Sequence, residues 1–129
     1  RISKNKTPHI VIYVDRSGSF DSSKTREATE ELNNVIKKYR TKIKRDIIFF
    51  NDDLFLVDSG LGNGGTNYQA VINNIFIDNP AIAIIITDDD YAEGINIPNI
   101  KSKVIVKKIG CNNTDIARKL REKVNCIEL

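Results

Sequence analysis

Residues 9–20 read HIVIYVDRSGSF. From His9 to Val14 the apolar, largely β-branched side chains occupy both alternations of a strand. Successive side chains of a strand point to opposite faces, so a run apolar at both has no face to offer water. The stretch therefore predicts a central strand, covered on both sides. The run stops at Asp15, and Ser17 to Phe20, with Gly18 inside it, predicts a turn.

Working outward, Asp21 or Ser22 can cap a helix whose early part carries Glu27, Glu30 and Glu31. Ala28, Leu32, Val35, Ile36 and Tyr39 recur at spacings of 3 and 4 and form its apolar stripe. Lys37, Lys38, Arg40 and Lys42 fall in its last turns, where cations suit the helix dipole. Asp46 to Phe50 (DIIFF) and Leu54 to Val57 (LFLV) predict two strands. The Asn51-Asp52-Asp53 turn between them is too short for a parallel crossover, so they should form a hairpin. After a glycine-rich loop (Gly60 to Gly65) a helix is expected from Asn67 to Ile77, burying Ala70, Val71 and Ile75. Pro80 resets the chain, and Ala81 to Thr87 (AIAIIIT) is a second run apolar on both faces. Asp88 to Asn99 reads as a polar loop, and a fifth strand lies within Lys103 to Ile109. A helix from Asp115 to Val124, capped by Asn113 or Thr114, precedes a sixth strand beginning at Ile127 to Leu129. Strand and helix alternate, which predicts an α/β sandwich with a mostly parallel sheet, one antiparallel edge strand and helices on both faces. Residues 1–129 are expected to form one domain, and the sequence shows no repeats or linker.

The bulk composition agrees. A chain of 129 residues buries a core without disulfides, and 40% hydrophobic with 29% charged residues describes a soluble globular protein. The longest apolar run, Ala81 to Ile86, is far short of the roughly 20 residues of a membrane span. The net charge of +3 does not by itself imply nucleic acid. Cys111 and Cys126 form no CxxC pattern and are expected as free thiols in a reducing, cytoplasmic compartment. No signal peptide is visible. A start at Arg1 and the lack of methionine are expected of a segment of a longer protein.

Three segments are rich in oxygen ligands: Asp15-Arg16-Ser17-Gly18-Ser19, Gly64-Gly65-Thr66-Asn67 and Thr87-Asp88-Asp89-Asp90. In open α/β sheets ligands bind beyond the carboxyl ends of the strands, at the switch in strand order. If the first and fourth strands are neighbours, all three segments converge there. Oxygen donors of this kind suit a hard cation such as Mg2+. Hydroxyl ligands with only one or two carboxylates leave the ion short of negative charge, so it can accept a carboxylate from outside.

The DxSxS of Asp15, Ser17 and Ser19, the later Thr66, and Asp88 after an apolar strand resemble the metal-ion-dependent adhesion site of von Willebrand factor A-type (VWA) domains. The resemblance runs over nearly the whole chain and implies a Rossmann-like VWA sandwich. The Gly-Gly-Thr-Asn stretch looks most like the VWA-like domain of bacterial and phage predicted metallopeptidases, although no HExxH is present. By this resemblance Ser17, Ser19 and Thr66 supply hydroxyl ligands, and Asp15 and Asp88 act directly or through water. The ion would be Mg2+, with Ca2+ or Mn2+ as alternatives. The partner would be a protein presenting an acidic side chain, and the domain would be a binding module and not an enzyme. The family usually has glycine where this chain has Asp89; aspartate is among the less costly residues at positive φ.

Other roles for the same residues explain less. As a strand-end cap Asp15, and as helix caps Ser17 and Ser19, would leave Thr66 and Asp88 unaccounted for. Asp89 and Asp90 also suit a solvated acidic turn. The Gly60 to Gly65 loop lacks the GK[ST] ending of a phosphate cradle. A magnesium-dependent phosphohydrolase could use Asp15 and Asp88, but such sites typically carry a second carboxylate two residues after the first, where Ser17 stands. An RNA-associated VWA module is the third possibility. The basic residues of 37–45, 101–108 and 118–123 are spread over several elements without interleaved aromatic residues, which disfavours it. His9, the one histidine, sits at the opposite end of its strand and reads as structural or exposed.

Overall fold

β1 (His9–Asp15) occupies the middle of a six-stranded sheet of order β3-β2-β1-β4-β5-β6, in a computed structural model that describes residues 9–16, 22–38, 44–56, 66–88, 94–109 and 115–129. The other strands are β2 (Lys44–Phe50), β3 (Leu54–Phe55), β4 (Ile82–Thr87), β5 (Lys103–Lys108) and β6 (Cys126–Glu128). β2 and β3 pair antiparallel as a hairpin, and every other pairing is parallel. The helices are α1 (Ser22–Lys38), α2 (Tyr68–Asp78) and α3 (Asp115–Arg121).

The two-residue period of β1 divides the core. Val11 and Tyr13 pack with Val71, Ile72 and Ile75 of α2 and with Ile116, Ala117 and Leu120 of α3. Ile10, Ile12 and Val14 pack on the other face with Ala28 and Leu32 of α1, backed by Val35 and Ile36. β4 divides in the same way, Ala83 and Ile85 to one side and Ile84 and Ile86 to the other. The fold is thus an α/β sandwich with helices on both faces.

Local chemistry sets the ends of α2. Asn67 caps its start, accepting from the Ala70 amide at 3.0 Å. Asn79 ends it at φ 50 and ψ 54, donating its N–H to the Ile75 carbonyl, and Pro80 prevents continuation. The helix buries Tyr68, Val71, Ile72 and Ile75, whereas Ala70, expected in the stripe, is only half-buried. Tyr68 takes that place because it leans from the first turn onto Phe50, ring centroids 5.9 Å apart. β3 ends at Phe55, short of the expected Val57, and Leu56 is exposed. α3 is shorter than expected: past Arg121 the Lys123 and Val124 amides both turn back to the Leu120 carbonyl. β6 starts one residue earlier than expected, at Cys126. Tyr39, Asn113 and Thr114 lie outside the described residues.

Ile85 is fully buried and Ile77, on α2, is 79% exposed. Ile85→Ala should lower the unfolding free energy by about 2–5 kcal/mol in a urea titration, and Ile77→Ala should change it by no more than about 0.5 kcal/mol. Equal effects would contradict the placement of β4 in the core.

Candidate metal centre

The strand order reverses between β1 and β4. From β1 the chain passes through α1 to β2 on one side, and it returns through α2, on the opposite face, to β4. Open α/β sheets bind ligands beyond the carboxyl ends of the strands at such a reversal, here the ends of β1 and β4.

The register delivers the residues to that point. Val14 pairs with Ile86, so the next residues, Asp15 and Thr87, lie side by side. Thr87 donates its hydroxyl to Asp15 Oδ2 at 2.6 Å. Tyr68 Oη lies 2.5 Å from the same threonine oxygen. A hydroxyl has one proton. Thr87 gives its proton to Asp15, so Tyr68 must donate to Thr87. The result is a directed chain, Tyr68 to Thr87 to Asp15, that ends on a fully buried carboxylate. Asp88, 4% exposed, follows directly.

Thr66 reaches the same end of the sheet through backbone links. Asp15 is in register with Phe50, and the Arg16 amide donates to the Phe50 carbonyl at 2.8 Å. The next residue, Asn51, accepts from the Asn67 amide at 2.7 Å, and Asn67 Nδ2 donates to the Asp52 carbonyl at 3.1 Å. The β2–β3 turn thereby clamps the start of α2, with half-buried Thr66 just before it, to the end of the sheet that holds Asp15. Of the expected ligands, Asp15, Thr66 and Asp88 come to one end of the fold. Ser17, Ser19, Gly18, Gly64, Gly65, Asp89 and Asp90 lie outside the described residues.

Burying two carboxylates is costly without hydrogen bonds, a counter-charge or a metal. The hydroxyl chain meets part of that cost. Arg16 is buried as well. Its Nη1 donates to the Asp15 carbonyl at 3.2 Å, its Nη2 to Thr29 Oγ1 of α1 at 3.3 Å, and its guanidinium lies over the Phe49 ring, 5.2 Å from the centroid. The cation thus ties α1 to the turn that leaves β1. Sequence reasoning passed over Arg16, the variable position of DxSxS, and Tyr68, because neither belongs to the ligand pattern. Their roles depend on Thr29 and Thr87, 13 and 19 residues away.

Among the described residues, Asp15, Thr66 and Asp88 offer oxygen donors at this end, two of them on buried acids, which fits a hard cation. Compared with known proteins, the chain is matched by no family model and by no curated protein.

The hydroxyl chain has a measurable signature. Thr87→Val removes a donor from buried Asp15 and should cost about 2 kcal/mol, and Tyr68→Phe about 1 kcal/mol. In a double-mutant cycle by urea unfolding the pair should be non-additive, because the Tyr68 and Thr87 hydroxyls are in direct contact. Strict additivity would rule the chain out.

Proposed function

We propose that this chain is a VWA-like binding module, not an enzyme, that holds a divalent cation beyond β1 and β4 and uses it to grip a carboxylate on a partner protein. The observation that carries this reading is the buried Asp15 carboxylate, aimed by Thr87 at the strand-order switch, with Asp88 and the Thr66 segment at the same end. Together with the DxSxS pattern this is the set of positions that the resemblance to VWA domains requires.

Asp15, Ser17, Ser19, Thr66 and Asp88 would hold the ion, Mg2+ by preference and Ca2+ or Mn2+ through the same oxygens. A bound cation supplies unsatisfied positive charge facing outward. The chain's own residues supply the rest. Thr87 and Tyr68 fix one Asp15 oxygen and leave the other side of the carboxylate to its remaining partners. The Asn67 cap and its links to Asn51 and Asp52 hold Thr66 at a set height above the sheet. A binding role also agrees with the position of the one histidine, which opens β1 at the far end and is out of reach for acid–base chemistry here.

The compartment we propose is cytoplasmic. Cys126 is a free thiol, and burial, the leading cause, pushes it up to about 11, so it stays protonated and slow to oxidise. No helix among the described residues is long and apolar enough to cross a membrane.

Calorimetric titration of Mg2+, Ca2+ and Mn2+ into metal-stripped protein tests the site. The parent should bind all three, Asp15→Ala should lose Mg2+ and Ca2+, and Tyr68→Phe should bind Mg2+ about tenfold more weakly, as expected for a group that orients a ligand. Equal binding by the parent and Asp15→Ala would place the ion elsewhere. The adhesive role is tested separately, by recovering a partner with and without chelator; retention in chelator would end it.

A further inference from the structure

A second group of ligand atoms lies at the opposite pole of the sheet. His9 opens β1, Asp46 lies on β2, and Asp78 is the last residue of α2. Asp46 is in register with Val11, so His9 and Asp46 are diagonal neighbours on the face that α2 covers. His9 Nε2 stands 2.7 Å from Asp46 Oδ2 and 3.7 Å from Asp78 Oδ2, and one ligand atom from each residue lies within 4.8 Å of the other two.

His9 and Asp46 are in hydrogen-bond contact, and small side-chain shifts would bring all three ligand atoms to the spacing of donors around a single ion. With metal–ligand bonds of about 2.0–2.2 Å, neighbouring donors lie roughly 2.9 Å apart at a right angle and roughly 3.4 Å apart at a tetrahedral one. An ordinary ion pair needs only one carboxylate. Here two converge on one imidazole, so even a protonated His9 would leave the trio with excess negative charge. Asp78 also stands at the C-terminal end of α2, where the helix dipole adds negative potential, and the last turn of α2 carries no basic residue.

The same two carboxylates also act on a neighbouring hydroxyl. Tyr13, which donates to Asn74 Oδ1 at 2.6 Å, is held in its neutral form first by burial and then by Asp78 and Asp46. Beside the trio an open hollow of about 500 Å³, lined by Asp46, Asn74, Asp78 and Leu56 among others, gives access and room for the waters that complete a coordination sphere.

We propose that His9, Asp46 and Asp78 form a second metal site, of the zinc type, that cross-links β1, β2 and the end of α2. The imidazole separates it from the all-oxygen site at the other pole, because nitrogen with carboxylate donors favours Zn2+ and its first-row neighbours over Mg2+. The site does not rest on the function proposed above.

The chain has one histidine, so its ring proton resonances report on this site alone. We expect about one equivalent of Zn2+ to shift the His9 ring signals of the metal-stripped chain, and Mg2+ to leave them in place. Asp78→Asn should weaken Zn2+ roughly a hundredfold, one ligand's share of a structural zinc site. Asp15→Ala should keep the His9 response. The proposal is overturned if millimolar Zn2+ leaves the parent's ring signals unmoved, if Asp78→Asn binds as tightly as the parent, or if Asp15→Ala abolishes the response. The parent titration needs no variant to fold, so it decides the question by itself.

Discussion

β1 has neither a face nor an edge open to water, and the rest of the molecule is arranged to satisfy that condition. Its apolar side chains point both ways, so each face must be covered: α1 does this on one side, α2 and α3 on the other. Its backbone groups must also be paired along both edges, which β2 and β4 do in parallel register. A parallel partner on each side, reached by helices on opposite faces, forces the strand order to reverse at β1 and β4. The crevice at that reversal follows from how the central strand is buried.

The same burial gives Asp15 its character. A carboxylate on the last residue of a fully covered strand cannot be left to bulk water, and Thr87, its lateral neighbour, donates to it a hydroxyl that accepts in turn from Tyr68. Arg16 is drawn inward on the next residue and is held by Thr29, the Asp15 carbonyl and the Phe49 ring. One peptide unit thus sends an anion and a cation into the interior. Networks of this kind are stiff when fully satisfied and costly when one member is lost.

The sheet has two chemically different poles. At the carboxyl ends the donors are hydroxyls and carboxylates; at the amino ends an imidazole stands between two aspartates. α2 spans both, with its capped start near Thr66 and its last residue, Asp78, beside His9. Any ion held at either pole would bear on the same helix, which makes α2 the element through which occupancy at one end could be felt at the other.

The sequence by itself determined the strands and their layers. The runs at residues 9–14 and 81–87 admit no solvent face, and the three-residue turn at Asn51 to Asp53 admits only a hairpin. These are local properties, set by periodicity and loop length. The tertiary structure alone decided which side chains support Asp15 and which carboxylates meet His9. Tyr68 and Thr87 are 19 residues apart, Thr87 and Asp15 72, and His9 and Asp46 37, and no pattern in the chain ties one to the other. His9 read as a bystander for that reason: its partners lie on β2 and α2, and they become neighbours only when parallel pairing sets the register and the helix packs down on the sheet.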